Sequence, residues 1–215
     1  MTNSTKTEAG MLDLLRLFKN NGAAADHYAS ERLAQAESAR ETLISLGYVP
    51  VGLDHFARPQ DSLARAAKDG RLRRNFQGYT TDNADALIGI GASAIGRLPQ
   101  GFVQNAPDLG AYGRAIMAGT FATARGIALS ADDRLRGAII ERLMCDFAVD
   151  LDTIAGYQEL PDALAALQPL ERDGLVVAAG TRITVTAAGK PFVRLVAAAF
   201  DAYLARGTAR HSRAV

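Results

Sequence analysis

Six basic residues fall between positions 58 and 74: Arg58, Arg65, Lys68, Arg71, Arg73 and Arg74. Only Asp61 and Asp69 oppose them. Such a run can be a solvated helix face with a basic end. It can also be an anion site, because arginine forks match the geometry of carboxylates. His55 stands between Asp54 and Phe56. If all three are in a strand, Asp54 and His55 point to opposite faces and Asp54 does not orient the ring. No second His or Cys lies nearby at a metal-ligand spacing, which favours a structural, hydrogen-bonded histidine. Gly89-x-Gly91-x-x-Ala94 fits a dinucleotide fingerprint on paper, but Gly96, Pro99 and Gly101 cut short the helix that such a site requires. The lone Cys145 reads as a small packed hydrophobe.

These groups need elements to hold them. Ser30 opens a helix with Leu33, Ala36, Leu43 and Ile44 at helical spacing, and Gly47 ends it. Tyr48–Leu53 is a strand candidate, with Pro50 placing it at an edge. Asp61 caps a short helix that Gly70 stops, and Asp108 caps another through Leu109, Tyr112 and Ile116. Ser130-Ala131-Asp132-Asp133 is a capping-box pattern. It opens an amphipathic helix with Leu135, Ala138, Ile139, Leu143 and Phe147 on one face. Asp132 and Asp133 suit the positive end of that helix, so they are not read as a catalytic carboxylate pair. Leu151–Tyr157 and Pro161–Leu170 read as short helices. Leu175–Val177 and Ile183–Thr186 read as a hairpin, and residues 189–204 as a final helix. Helices, a hairpin and a helix give a winged-helix outline. Its candidate recognition helix carries no Lys or Arg before Arg172, so a packing module is preferred to a nucleic-acid reader. Met11–Phe18 is a short apolar helical patch, and residues 1–10 and 206–215 read as disordered or frayed ends.

The chain has 215 residues, 48% hydrophobic and 22% charged, with a net charge of +1. That is ordinary globular composition, and it gives no global charge argument for nucleic acid or membrane. One cysteine excludes an internal disulfide framework and suits a reducing compartment, so the cytoplasm is expected. No apolar run reaches membrane-spanning length, and the first residues lack a secretory-signal core.

Several ordered segments, spread over residues 26–205, resemble one family. They are Gly52-Leu53-Asp54-His55-Phe56-Ala57-Arg58-Pro59, Arg74-Asn75-Phe76-Gln77-Gly78-Tyr79-Thr80-Thr81, Gly91-Ala92-Ser93-Ala94-Ile95, Arg125–Asp133 and Leu143-Met144-Cys145-Asp146-Phe147. The chain resembles the C-terminal half of oxygen-independent coproporphyrinogen III oxidase, a radical S-adenosylmethionine enzyme of haem synthesis. The related haem chaperones share the Phe-Ala-Arg-Pro step but usually carry a Pro-Gly-Ala-His type segment where this chain has Ala92-Ser93-Ala94-Ile95.

The resemblance implies an α/β, mostly helical fold. Residues 1–25 would be an unassigned extension and 26–99 the end of an incomplete (β/α) barrel with the cofactor and substrate loops. Residues 100–215 would be a helical, winged-helix-like domain with a hairpin wing. It implies S-adenosylmethionine contacts at Gln77 and Ile95. It also implies coproporphyrinogen or another tetrapyrrole near Arg58, Arg74 and His55, since this substrate carries four propionates. The barrel strand at 48–53 would lack neighbours and need pairing from another chain or by rearrangement. The family holds a four-iron cluster on a Cys-x3-Cys-x2-Cys motif near its N-terminus. One cysteine cannot replace it. The expected partner is therefore a separate N-terminal radical-generating half, with binding modules for tetrapyrrole or protein as the alternative.

Overall fold

The computed structural model describes residues 22–204. The expected apolar patch at Met11–Phe18 and both expected disordered ends lie outside these residues. The first helix, α1, runs Gly22–Ser45. It starts earlier than the sequence reading placed it, because Ala23-Ala24-Ala25 is the best helix-forming composition available.

The chain then folds back on itself. Strands β1 (Val49–Val51) and β2 (His55–Ala57) form an antiparallel hairpin with Val51 opposite His55 and Val49 opposite Ala57. This corrects the expected barrel strand at 48–53. The turn from Gly52 to Asp54 returns the chain, so β2 supplies the pairing, by rearrangement rather than from another chain. Barrel strands run parallel, whereas every strand pair among the described residues is antiparallel.

Asp61 accepts the Leu63 N–H at 2.8 Å and caps α2 (Ser62–Lys68), as the sequence requires. A second hairpin follows, β3 (Arg73–Asn75) and β4 (Gly78–Thr80), turning at Phe76-Gln77 with Arg74 opposite Tyr79. Val51, Ala57, Ala64, Ala66, Leu72, Tyr79 and Cys145 form a small core beneath both hairpins.

The next segment is a lobe. Strands β5 (Ile95–Leu98), β6 (Gly101–Asn105) and β7 (Thr123–Ala128) make a sheet in that order, with α3 (Leu109–Met117) between β6 and β7. The Pro99-Gln100 turn joins β5 to β6, so the boundary drawn between 99 and 100 passes through a tight hairpin. Gly101 belongs to this sheet because a Cβ there would run into the Ile127 carbonyl.

The body comes last. Ser130 and Asp133 form the predicted capping box at the start of α4 (Ala131–Asp146). The order continues β8 (Ala148–Asp150), α5 (Pro161–Arg172), β9 (Val176–Ala179), β10 (Arg182–Val185) and α6 (Val193–Ala198). The sheet order is β8-β10-β9, and the predicted hairpin is β9–β10. Leu151–Tyr157 is not a helix. Asp150 caps only a 3-10 turn, Leu151–Thr153, directly after β8. The last helix is also shorter than 189–204. Lys190–Phe192 is a 3-10 turn, and beyond Ala198 the Asp201 carboxylate accepts the N–H groups of Tyr203 and Leu204. That local bonding competes with helical bonding. Ile139, Leu143, Leu167, Ile183, Val193, Val196 and Phe200 are fully buried in the centre of the body.

Candidate functional site

Helix α4 is the post on which the β3–β4 hairpin hangs. Glu141 accepts the Arg74 backbone N–H at 3.2 Å and pairs with the Arg73 side chain at 3.3 Å. Arg142 donates to the Leu72 carbonyl at 2.7 Å and the Gly70 carbonyl at 3.3 Å, and pairs with Asp146 at 2.7 Å. Burial pushes the Asp146 carboxyl up, and its second oxygen is buried without a partner. Tyr79 closes the joint. Its hydroxyl donates to the Met144 carbonyl and accepts the Leu53 N–H, each at 2.9 Å. It thereby ties α4 to the β1–β2 turn, and burial pushes its phenol up.

Around Tyr79 the structure assembles two of the three expected substrate residues. The His55 ring meets Tyr79 edge-on at 5.0 Å, and the Arg74 guanidinium lies 5.8 Å from the same ring. Arg58 is elsewhere. His55 shares a hairpin face with Val51, and alternation carries Arg58 to the other face, that of Phe56. There it lies 5.4 Å over Tyr48 and lines an open groove with Tyr48, Phe56 and Gln60. Arg58 and Arg74, both expected near the substrate, are therefore not brought together. The expectation that Asp54 cannot orient His55 is also corrected. Asp54 sits in the turn rather than in a strand, so alternation does not apply, and His55 Nδ1 is 2.8 Å from its carboxylate.

The two expected cofactor residues lie on adjoining surfaces. Gln77 is exposed in the β3–β4 turn, with its backbone N–H donated to Asn75 Oδ1 at 2.8 Å. Its neighbour Phe76 packs edge-on against Phe102 at 5.2 Å. Phe102 is opposite Arg97, and Ile95 is opposite Gln104. Residues opposite each other, or two apart along a strand, share a face, so Phe102 and Ile95 occupy one side of the β5–β6–β7 sheet. Arg125 donates to Gln104 Oε1 at 2.7 Å on that same side. The turn bearing Gln77 thus abuts the sheet face bearing Ile95.

The dinucleotide reading fails on geometry, because no helix opens at Gly91 and the chain enters β5 instead. Cys145 is buried and its thiol is pushed up to about 12, chiefly by burial. It is a neutral packed group at ordinary pH, not a thiolate ligand. Among the described residues no cluster of three His, Cys, Asp or Glu side chains could hold a metal ion.

Residues 129–192 match the family described as the HemN C-terminal domain. The chain is 51% identical over 201 residues to the oxygen-independent coproporphyrinogen III oxidase of Bradyrhizobium diazoefficiens, covering 91% of this chain and 44% of that protein. It is 48% identical over 181 residues to the same enzyme of Cereibacter sphaeroides, covering 82% and 40%. This chain matches the C-terminal part of the oxygen-independent coproporphyrinogen III oxidases. A solved structure of the HemN oxidase of Escherichia coli, described as a radical SAM enzyme, superposes with a TM-score of 0.73 at 39% identity. The match covers 78% of this chain and 40% of that one. The chain therefore spans less than half the length of the HemN relatives it matches.

Sequence reasoning missed Tyr79, Asp54 and Glu141 as organisers of this site. Tyr79 had a readable signal: Arg-Arg-Asn, a two-residue Phe-Gln step, then Gly-Tyr-Thr is a hairpin pattern that sets Arg74 opposite Tyr79. Glu141 lies 67 positions from Arg74 along the chain, and no local pattern reports that contact.

Proposed function

We propose that this chain forms the substrate-covering side, and part of a cofactor site, of an oxygen-independent coproporphyrinogen III oxidase. The overall reaction is oxidative decarboxylation of two propionates of coproporphyrinogen III to vinyl groups, giving protoporphyrinogen IX in haem synthesis. The observation that carries the reading is the approach of His55, from the β1–β2 hairpin, to the β3–β4 hairpin that bears Arg74 and Gln77, beside the sheet face of Ile95. Arg74 offers a fork to a propionate. Gln77 supplies amide hydrogen bonds and Ile95 an apolar wall to S-adenosylmethionine, whose role in the family is to yield the radical that takes a hydrogen atom from the propionate.

The residues present do not fit the four-iron cluster, which needs several thiolates. The single thiol is buried and protonated. On this reading these 215 residues by themselves are inert and act together with a region that carries the cluster. The exposed apolar side chains of the lobe, Ile90, Leu109, Met117 and Phe121 among them, supply a surface for that cluster-bearing region. We read α4, α5, the β9–β10 hairpin and α6 of the body as a winged-helix-like packing module. Its α5 has no basic residue before Arg172, and Asp162 at its start pairs with Arg136, so the outline serves packing rather than groove reading.

The test is turnover of coproporphyrinogen III by the purified chain after iron–sulfide reconstitution, with and without the cluster-bearing N-terminal portion of a relative. Activity only in the mixture is expected. Turnover by the chain alone overturns the proposal.

A further inference from the structure

Asp54 does more than neighbour His55. Its Oδ1 is 2.8 Å from His55 Nδ1, and its Oδ2 is 3.5 Å from the Arg194 guanidinium at the start of α6. The carboxylate is thus held between the imidazole and the body. The ring is fixed on a second side by its edge-on contact with Tyr79, at an interplanar angle of 85°. Tyr79 is itself bonded at both ends of its hydroxyl. The far nitrogen of the ring points to the β3–β4 turn. A Cβ on Gly78 would lie 3.1 Å from His55 Nε2, so the missing side chain leaves this atom open beside Gln77.

Which ring nitrogen of a histidine carries the proton is set by the hydrogen bond that the other nitrogen makes. A carboxylate behind a ligating imidazole is the common device for fixing tautomer and orientation. We propose that Asp54 is a positioning residue: it holds the Nδ1–H tautomer of His55 and so presents Nε2 to a carboxylate-bearing ligand at the β3–β4 turn. In the neutral ring Nε2 is an acceptor. Once the ring is protonated, the same atom donates to a carboxylate, with Asp54 neutralising the added charge and Arg74 on the other side of Tyr79. This deepens the reading of His55 as a substrate-side residue and rests on it for the choice of ligand.

The test is long-range 1H–15N correlation of the histidine rings in the labelled 215-residue chain, above the pH at which imidazole titrates. His27 and His211 serve as internal references. In the unaltered chain, Nδ1 of His55 is expected in the pyrrole-like range and Nε2 in the pyridine-like range. Asp54→Ala should invert that assignment, because the isolated ring prefers the other tautomer, and Asp54→Asn should retain it through the amide oxygen. An Nε2–H tautomer in the unaltered chain, or no change in Asp54→Ala, overturns the proposal. Coproporphyrin III is then added as the carboxylate probe. A shift of Nε2 that is lost in Asp54→Ala supports both statements. A tautomer set by Asp54 with no Nε2 response to the porphyrin keeps the positioning role and overturns the substrate-side reading of His55.

Discussion

The body and the lobe follow opposite rules. Between residues 131 and 200, helix and strand faces close on one another, and the core there is continuous from Leu135 to Phe200. Between 86 and 128 the sheet, apart from a register shift at Gln104–Asn105, and α3 are hydrogen-bonded throughout, yet Ala122 is the only buried hydrophobic residue there. No residue of α3 is fully buried, and Met117 is 89% and Phe121 96% exposed. Regular hydrogen bonding therefore does not require a finished core. The body stands on its own packing, and the lobe keeps its apolar side chains outward, as a surface made for contact does.

Four substitutions sharpen this contrast. Phe200→Ala should cost about 3–5 kcal/mol of stability, the usual loss for emptying a buried aromatic site; equilibrium denaturation of the chain reads it. A loss no larger than that of a surface change would mean that the body is not the stabilising unit. Next comes Tyr79→Phe, which removes the acceptor for the Leu53 N–H and the donor to Met144. A loss of about 1–3 kcal/mol is expected for the groups left unpaired. The loss should come with altered His55 ring resonances, because the β1–β2 turn is no longer tied to α4 through the Tyr79 hydroxyl.

Ser130→Ala removes the α4 cap and should cost about 1 kcal/mol. Its pH dependence has a definite sign. Hydrogen bonds from the Ser130 backbone and side chain hold Asp133 below the ordinary carboxylate range. That contribution is present above the unfolded carboxylate value and is lost as pH falls through the lowered one. The gap between Ser130→Ala and the unaltered chain should therefore narrow in acid. Smallest of all, Phe121→Ala should change stability by less than about 0.5 kcal/mol, as exposed substitutions do. If the lobe is a contact surface, the same substitution should weaken association with a cluster-bearing half, read by titration. A large stability loss with no effect on association would reverse the assignment.

The sequence carried the body well. Ser130 and Asp133 declared α4, and the apolar spacing of Leu135, Ile139 and Leu143 declared its buried face. The Val-rich runs declared the β9–β10 hairpin. In the lobe Asp108 declared α3, but the sheet was illegible for a physical reason. Gly96, Gly101 and Gly126 occupy strand positions where the backbone comes close, and they erase the alternation by which strands are recognised. Asp54 was misjudged because its place in a turn, outside the strand, removes the alternation rule. Arg58 was grouped with Arg74 through motifs that resemble one family, and motif membership says nothing about which face of a hairpin a side chain takes.

The edge contact of Phe76 on Phe102 has a mechanical meaning. The tip that carries Gln77 leans on a sheet with little packing of its own, so it inherits whatever slack that sheet has. Seating the lobe against another surface would take up the slack and deliver the glutamine to a set place. Contact at the lobe and the setting of the Gln77 tip would then be a single event.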